Sequence, residues 1–332
     1  MVGSRKILVT GGAGFIGSNI VAALRERGDA VVVCDRLRTG DKWRNIAKRQ
    51  LDDVVEPESL LPWLDANGTS LDAVVHMGAI SSTTETDADL IVDVNFRLSR
   101  DLWQFCAEQA IPLIYASSAA TYGDGSQGFD DNQSAAALAA LRPLNPYGWS
   151  KHLFDRWVVA AAEQGEEAPP QWVGLKFFNV YGPNEYHKGS MKSVIAQKYP
   201  LAVAGEPITL FASHNPDYPD GGQLRDFVFV EDCVDVVLWL LDHPQVSGLY
   251  NLGTGESRSF SDLARSLCVA VGVEFKMEII EMPAAIRDRY QYFTQAEMTK
   301  LRQAGYDRPF ASIEDGVRRY VQDYLMQPDP YR

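Results

Sequence analysis

The chain has 332 residues, which is enough for one large domain or for one domain with a smaller lobe. Its formal net charge of −13 argues against nucleic acid as a partner, because nucleic-acid binding requires a basic surface. The four cysteines form no C-x-x-C motif and no apolar run has the length of a membrane span, so we expect neither zinc nor a membrane segment and predict a cytoplasmic protein.

The first half of the chain alternates short apolar segments with segments of helical spacing. Strands are predicted at "KILVT", "AVVVCD", "LDAVVHMGA", "IPLIYASS" and "WVGLKFF". The longest predicted helices are "DADLIVDVNFRLSRDLWQFCAEQ" and "NPYGWSKHLFDRWVVAAAEQ". Strands that are apolar throughout and separated by helices are typical of a parallel sheet covered on both faces. The predicted fold class is therefore α/β, with a Rossmann-type doubly wound parallel sheet.

A glycine-rich turn lies between the first predicted strand and the first predicted helix. In "VTGGAGFIGS", Gly11, Gly14 and Gly17 have the spacing that permits a tight turn, a close backbone approach to a pyrophosphate and close helix–strand packing. Asp35 ends the second strand, at about the distance expected of an acidic residue that binds ribose hydroxyls. These features predict a dinucleotide site.

The residues after Asp35 leave the type of dinucleotide open. An acidic residue at this place suits NAD, whereas the cations of Arg36, Arg38 and Lys42 suit the 2′-phosphate of NADP. As solvated surface charges, the same cations would select neither. We favour NADP, with NAD as the alternative.

A tyrosine and a lysine share one face of a predicted helix. Tyr147 and Lys151 stand at i and i+4, and Ser118 ends a predicted strand upstream of them. A nearby ammonium and a cationic nicotinamide would lower the pKa of the phenol, which could then accept the proton of a substrate hydroxyl while hydride leaves for the nicotinamide. Ser118 could hydrogen-bond the same oxygen. An exposed tyrosine–lysine pair and a capping serine are the structural alternatives.

The second half of the chain is richer in loops. From about Tyr181 the strand–helix alternation loosens, although "EDCVDVVLWLLDH", "SFSDLARSLCVAVG" and "FTQAEMTKLRQAG" still predict helices. We therefore predict a dinucleotide-binding domain over residues 1–180, which contains Ser118, Tyr147 and Lys151. A mainly substrate-binding lobe over residues 181–332 is expected to return some segments to the first domain.

These motifs together resemble the extended short-chain dehydrogenase/reductases that act on nucleotide sugars. "RDFVFVEDCVD" and "YNLGTG" look like later landmarks of that family. "SSTTE", "FFNVYGP" with "HKGSM", and "RYQYFTQAEMTKLRQAGYDRPF" are most similar to its ADP-L-glycero-D-manno-heptose 6-epimerases. The resemblance spans nearly the whole chain. It implies an isomerase that inverts C6″ of an ADP-linked heptose, for the lipopolysaccharide core, through transient oxidation to a ketone.

The segment "HKGSM" supplies a second lysine, Lys188. An epimerase that oxidises and re-reduces one carbon must return hydride to the opposite face, and the new hydroxyl there needs its own proton donor. The resemblance implies that Tyr147 serves one epimer and Lys188 the other, while Lys151 sets the tyrosine pKa and holds the nicotinamide ribose. The alternative is that Lys188 binds substrate phosphate only or is solvated.

The resemblance also implies residues that line the two ligands, and it implies no metal ion. The predicted cofactor-binding residues are Gly11, Gly14, Phe15, Ile16, Gly17, Asp35, Arg36, Lys42, Met77, Gly78, Ala79, Ser81, Asn95, Lys151 and Val180. The predicted substrate-binding residues are Ser118, Asn179, Ser190, Gln197, Phe211, Arg225 and Tyr290. The expected partners are a nucleotide-diphosphate sugar and further copies of the same chain.

Several positions depart from the family pattern. The loop over residues 213–223 is longer than in the relatives, Pro57 stands in place of a lysine, Met77 in place of an acidic residue and Gln197 in place of a histidine. These differences leave the exact substrate and cofactor open. A nucleotide-sugar 4-epimerase and a non-catalytic dinucleotide sensor are the alternative functions, while "SSAATYG" lacks the acidic pair that a 4,6-dehydratase needs.

Overall fold

The computed structural model describes residues 4–287 and 290–332. In this part of the chain seven strands form the central sheet, each parallel to its neighbours. These strands are β1 (Lys6–Thr10), β2 (Ala30–Cys34), β3 (Asp53–Val55), β4 (Ala73–His76), β5 (Leu113–Ser118), β6 (Trp172–Phe177) and β10 (Gly248–Leu252). The predicted doubly wound parallel sheet is confirmed.

The order of the strands is β10-β6-β5-β4-β1-β2-β3, so the direction of winding reverses between β1 and β4. Ligands of such sheets bind at this reversal, beyond the carboxyl ends of the strands. The carboxyl ends of β1 and β4 are buried and polar, and Thr10 at the end of β1 pairs with His76 at the end of β4. This register brings the glycine-rich turn after β1 next to residues 77–79.

Helices cover both faces of the sheet or belong to the second lobe. They are α1 (Phe15–Arg27), α2 (Leu60–Asn67), α3 (Ala88–Ile91), α4 (Leu98–Glu108), α5 (Ala135–Ala140), α6 (Pro146–Glu163), α7 (Val194–Ala204), α8 (Val230–Asp242), α9 (Phe260–Val271), α10 (Ala284–Arg287), α11 (Thr299–Gln303) and α12 (Ile313–Tyr320). Their ends follow sequence chemistry: Asn145 caps α6 ahead of Pro146, and Gly28 ends α1 with φ of 92°. Among the described helices none has the length and apolar character to cross a membrane.

Two small sheets accompany the second hydrophobic core. β7 (Asn179–Tyr181), β9 (Leu224–Phe229) and β11 (Ser257–Ser259) form one, and β8 (Ile208–Phe211) pairs with β12 (Met277–Ile280) in the other. The core beneath them includes Phe15, which is the first residue of α1. The start of α1 therefore packs on this second lobe, while β10 returns to the central sheet. The domain division at residue 180 stays a prediction.

Two predicted helices differ from those in the structure. The long helix over residues 87–109 contains a π-helical segment, Val92–Arg97, from which Asn95 hydrogen-bonds both polar backbone groups of Ile80 and the Ser150 hydroxyl. The segment "FTQAEMTKLRQAG" is helical only over α11, and the preceding residues are irregular, with the Ala296 N–H donated to the Asp226 carboxylate. In both places tertiary hydrogen bonds override local helical preference.

The helix α6 is fixed to the sheet by a buried ion pair. The Asp155 carboxylate of α6 accepts a hydrogen bond from Lys176 Nζ of β6 at 2.6 Å, and the two side chains are 0% and 1% exposed. Ser117 Oγ donates to the same carboxylate at 2.7 Å and the Tyr115 hydroxyl donates at 3.2 Å. A charge buried this deeply is tolerated only when its hydrogen bonds are satisfied, so α6 is held in one register over β5 and β6.

We predict that Lys176→Met destabilises the fold by about 3–5 kcal/mol, because it leaves the Asp155 charge buried and unpaired. The measurement is the free energy of unfolding in urea. The matched control is the double variant Asp155→Leu/Lys176→Met, which removes both charges and should be distinctly more stable than the single variant. Equal stability of the two variants would show that the uncompensated charge is not the cause.

Candidate active site

The glycine-rich turn after β1 has no room for side chains. Gly11 has φ of 63°, and a Cβ there would lie 2.7 Å from the Gly78 nitrogen; a Cβ on Gly17 would lie 2.1 Å from the Gly11 oxygen. Gly14 caps α1 without a side-chain hydrogen bond, so the first N–H groups of the helix are free. Such a turn with a free helix N-terminus fits a pyrophosphate, which the amides and the helix dipole favour.

The Asp35 carboxylate at the end of β2 is held by three donors. It accepts the Ala13 N–H at 2.9 Å, the Arg36 N–H at 2.7 Å and Lys42 Nζ at 2.5 Å. The Arg36 guanidinium is paired with Glu58. Asp35 thus connects the glycine-rich turn to the residues that the sequence assigns to the adenosine ribose, and Lys42 brings a cation to that place.

The tyrosine of the predicted redox pair lies against the strand-end serine. Tyr147 is half-buried at the start of α6, and burial raises the pKa of its phenol, although a hydrogen bond with Ser118 acts in the opposite direction. The Ser118 hydroxyl also accepts the Ala120 N–H at 3.1 Å, so this serine is a cap as well as a neighbour of the phenol. In the chain alone burial outweighs the expected lowering of the tyrosine pKa, and a cationic nicotinamide remains the group that could reverse it.

Lys151 is 3% exposed and forms no ion pair with the described residues. Burial lowers the pKa of its ammonium to about 8, while the Asp155 charge one helical turn later partly opposes this shift. His76 at the end of β4 is close enough for the Lys151 charge to help burial lower the imidazole pKa to about 3. Among the residues that the structure describes, the ammonium has no ion-pair or hydrogen-bond partner, so it can serve a ligand.

The second lysine, Lys188, lies beside the start of α1, directly after the glycine-rich turn. The segment Tyr186–Met191 is a short 3₁₀ turn kinked at Gly189, and Lys188 Nζ lies over the Phe15 ring, 5.2 Å from its centroid. Burial lowers the pKa of Lys188, with the Glu185 charge in partial opposition. An amine with a lowered pKa in contact with the first residue of α1 is suited to exchange a proton with a ligand beside the dinucleotide.

Glu185 directly precedes the segment Tyr186–Met191 and anchors it. It is fully buried, and its carboxylate accepts the Ser193 N–H at 2.5 Å and the Ser193 hydroxyl at 2.6 Å. Its carbonyl oxygen accepts the Lys188 N–H at 3.1 Å. Because Ser193 is the N-cap of α7, the carboxylate joins the lysine segment to the start of that helix.

On the substrate side, Arg225 lies between aromatic rings. Its guanidinium is 5.1 Å from the centroid of Tyr290 and 5.6 Å from that of Phe260, and it donates to the carbonyl oxygens of Leu224 and Gln291. Tyr218, from the long loop, packs on Tyr292 with centroids 5.3 Å apart. A buried guanidinium backed by aromatic faces suits a diphosphate.

The remaining predicted site residues fall into groups. Met77, Gly78 and Ala79 follow β4 and are half-buried, while Ser81 is exposed. Asn95 is fully buried, and its amide is taken up by Ile80 and Ser150, so it supports the segment after β4 from behind. Ile16, Asn179, Val180, Ser190 and Phe211 are all at least partly exposed. Gln197 braces the lysine segment by donating to the carbonyl oxygens of Ser190 and Lys192.

Sequence reasoning missed the residues that hold these elements together. Three buried asparagines, which we call the asparagine clamp, join the start of α1 to residues 183–188: Asn19, Asn45 and Asn184. Asp155 and Glu185, which act on the two lysines, were missed as well. For Asp155 the i+4 spacing from Lys151 was an available signal, whereas the clamp joins residues distant in sequence and gave none.

Several known proteins resemble this chain over nearly its whole length. The family model described as NAD dependent epimerase/dehydratase family matches residues 7–253. A Fusobacterium nucleatum protein named ADP-L-glycero-D-manno-heptose-6-epimerase is 47% identical over 98% of this chain and 99% of its own length, and a namesake from Alkalilimnicola ehrlichii is 43% identical over 95% and 96%. The crystal structure of the Helicobacter pylori enzyme of that name has a TM-score of 0.78 at 28% identity, covering 96% of each chain. Thermus thermophilus UDP-glucose 4-epimerase in complex with NAD has a TM-score of 0.74 at 28% identity, covering 96% and 98%.

Proposed function

The chain belongs to the NAD dependent epimerase/dehydratase family, and from that premise we propose that it is an ADP-L-glycero-D-manno-heptose 6-epimerase. It is an isomerase that inverts one carbon of a nucleotide-linked sugar by transient oxidation. The proposal rests on two lysines that have no ion-pair partner among the described residues. Lys151 lies one helical turn after Tyr147, and Lys188 lies over Phe15 at the start of α1. A 4-epimerase has no evident use for the second lysine.

Each face of the sugar has its own proton partner in this proposal. A bound nicotinamide supplies the hydride acceptor. Tyr147 would remove the hydroxyl proton of one epimer with Ser118 on the same oxygen. Lys151 would hold the nicotinamide ribose and, together with the cationic nicotinamide, favour the phenolate against the effect of burial. Lys188 protonates the oxygen when hydride returns from the other side, and its lowered pKa brings the ammonium closer to the working pH. Arg225 and Tyr290 bind the diphosphate, and Asn179, Ser190, Gln197 and Phe211 line the sugar side.

The dinucleotide is NADP in our proposal. The Asp35 carboxylate already accepts three hydrogen bonds, one of them from Lys42, so its charge is offset by a cation. A 2′-phosphate can share that ammonium, whereas a lone carboxylate would repel it. We also propose that the chain works as a homo-oligomer, as the family resemblance implies.

We predict that Lys188→Met lowers the epimerisation rate by about 10²- to 10⁴-fold, the usual contribution of a positioned acid/base, while the dinucleotide stays bound. The rate is measured on ADP-heptose by resolving the two C6″ epimers. Lys192→Met, four residues along the same segment, is the matched control and should retain the rate of the unmodified chain. Normal turnover by Lys188→Met would rule out the two-base mechanism.

A second prediction concerns the hydrogen on the inverted carbon. In deuterated water, ADP-heptose should epimerise with no solvent deuterium at C6″, because hydride leaves and returns within the site. Mass spectrometry and proton NMR of the product measure the label. Deuterium at C6″ would indicate enolisation instead. Inversion of UDP-glucose in place of ADP-heptose would identify a 4-epimerase.

Lys42→Ala should weaken NADP binding by about 10- to 100-fold, since a charge-assisted hydrogen bond contributes about 1.5–3 kcal/mol, and should leave NAD binding unchanged or stronger. Dissociation constants from calorimetry measure both. Lys48→Ala, which removes a lysine paired with Asp329 at the surface, is the matched control. If Lys42→Ala weakened both dinucleotides equally, Lys42 would support the loop and not select the phosphate.

A further inference from the structure

The side chain of Asn45 joins three segments that are far apart in sequence. Asn45 ends the 3₁₀ turn Asp41–Asn45, which also carries Lys42, and it is 1% exposed. Its Nδ2 donates to the carbonyl oxygen of Ala13 at 2.8 Å and to that of Asn184 at 3.1 Å, and it lies 3.2 Å from His187 Nδ1. One amide therefore touches the glycine-rich turn and both ends of the segment that leads to Lys188.

The orientation of this amide follows from its neighbours. Two of them are carbonyl oxygens, which only accept hydrogen bonds, so the NH₂ end must face them. The two amide hydrogens are then directed at the two carbonyl oxygens, and His187 Nδ1 faces the same NH₂ group as the unprotonated nitrogen of a neutral imidazole that shares one of these hydrogens. Burial, with the charges of Lys42 and Lys188, lowers the pKa of His187 to about 4 and agrees with this state.

The other members of the asparagine clamp make the attachment rigid. Asn184 is fully buried with φ of 71°, and its Nδ2 donates to Ser18 Oγ at 3.0 Å. Asn19 Nδ2 donates to the carbonyl oxygens of Phe15 at 2.9 Å and Pro183 at 3.0 Å. Asn184 and Asn19 thus attach the segment to α1. The Asn45 side chain links it to Ala13, and the turn that carries Lys42 is also reached from the other side, because Asn184 Nδ2 donates to the Asn45 carbonyl oxygen at 3.4 Å.

We propose that Asn45 is a positioning residue that couples occupancy of the dinucleotide site to the position of Lys188. This inference rests on the proposed function for the role of Lys188, and on the hydrogen bonds of Asn45 for the coupling. A pyrophosphate at the free N–H groups after Gly14 fixes the turn that contains Ala13, and a phosphate on Lys42 fixes the turn that contains Asn45. Both effects restrict the amide, which in turn restricts Asn184 and His187 on the approach to Lys188.

The coupling is reciprocal, because any free energy that dinucleotide binding contributes to ordering the lysine segment is returned as tighter dinucleotide binding. An epimerase benefits from this arrangement, since a dinucleotide that left before hydride returned would strand the ketone. Dinucleotide binding therefore favours the position of Lys188 that these hydrogen bonds define, and the segment that carries Lys188 also slows dinucleotide release.

The test is hydrogen–deuterium exchange of the full chain with and without NADP, in the absence of sugar. In the unmodified chain NADP should slow exchange in residues 9–18 and also in residues 185–192. In Asn45→Ala, NADP should still slow exchange in residues 9–18, but its effect on residues 185–192 should fall at least about fivefold. Asn67→Ala, which removes an exposed amide on α2, is the matched control and should behave like the unmodified chain.

His187→Ala is the second variant, because its exposed side chain can be removed without opening the core. It should lose part of the protection of residues 185–192 and none in residues 9–18. Full NADP-dependent protection of residues 185–192 in both variants, or its absence from the unmodified chain, would overturn the coupling.

Kinetics separate this inference from the proposed reaction. Asn45→Ala should lower kcat by about 10- to 100-fold, with little change in KM for the sugar, because a misplaced catalytic group costs rate more than binding. Added to Lys188→Met, the same change should lower kcat no further, whereas a merely structural role would be additive. If NADP protects residues 185–192 through Asn45 but Lys188→Met epimerises normally, the proposed two-base role of Lys188 fails and the coupling of the segment to the dinucleotide stands. If Lys188→Met is inactive and Asn45→Ala is unaffected in exchange and rate, the coupling fails alone.

Discussion

The buried ion pair of Asp155 and Lys176 is the constraint on which the positions of Tyr147 and Lys151 depend. A carboxylate with no exposed surface must keep its hydrogen bonds, so α6 cannot slide or rotate on β5 and β6 without a large cost. Tyr147 and Lys151 precede Asp155 on the same helix at intervals of four residues. Fixing Asp155 against the sheet therefore also fixes the positions of Tyr147 and Lys151 relative to it. The position of the phenol against Ser118 is thus set two turns away, by a pair that touches no ligand.

The side chains of Lys151 and Lys188 have similar electrostatic surroundings. Each is largely withdrawn from water, which lowers the pKa of its ammonium, and each has a buried carboxylate nearby that limits the shift. The two carboxylates are already engaged, Asp155 by Lys176 and Glu185 by Ser193, so they act on the lysines through their fields and not through direct ion pairs. Each ammonium is left free for a ligand at a pKa below its ordinary value.

Local patterns in the sequence predicted the elements whose hydrogen bonds are local. The parallel strands, α8 and α9 follow from apolar spacing, and α6 from its cap and proline. Local patterns failed where hydrogen bonds to residues distant in sequence determine the backbone conformation. Asn95 in the π-helical segment bonds Ile80, and the Asp226 carboxylate bonds Ala296 in the irregular stretch before α11. The site residues themselves were named mostly from the family resemblance, and nothing in spacing or composition identified the asparagines behind them.

The Lys188 segment shows why such supporting residues are needed. Gly189 and Ser190 are exposed, and the 3₁₀ turn is broken at Gly189, where φ of 56° with ψ of −125° suits only glycine. Within the segment Tyr186 packs on the second core and against Tyr331, with ring centroids 5.1 Å apart. The asparagine clamp holds the chain before it, and the Glu185 carboxylate ties it to Ser193, which follows the segment. Since the clamp bonds Ala13 of the glycine-rich turn and Phe15 of α1, the position of the Lys188 segment is tied to that turn.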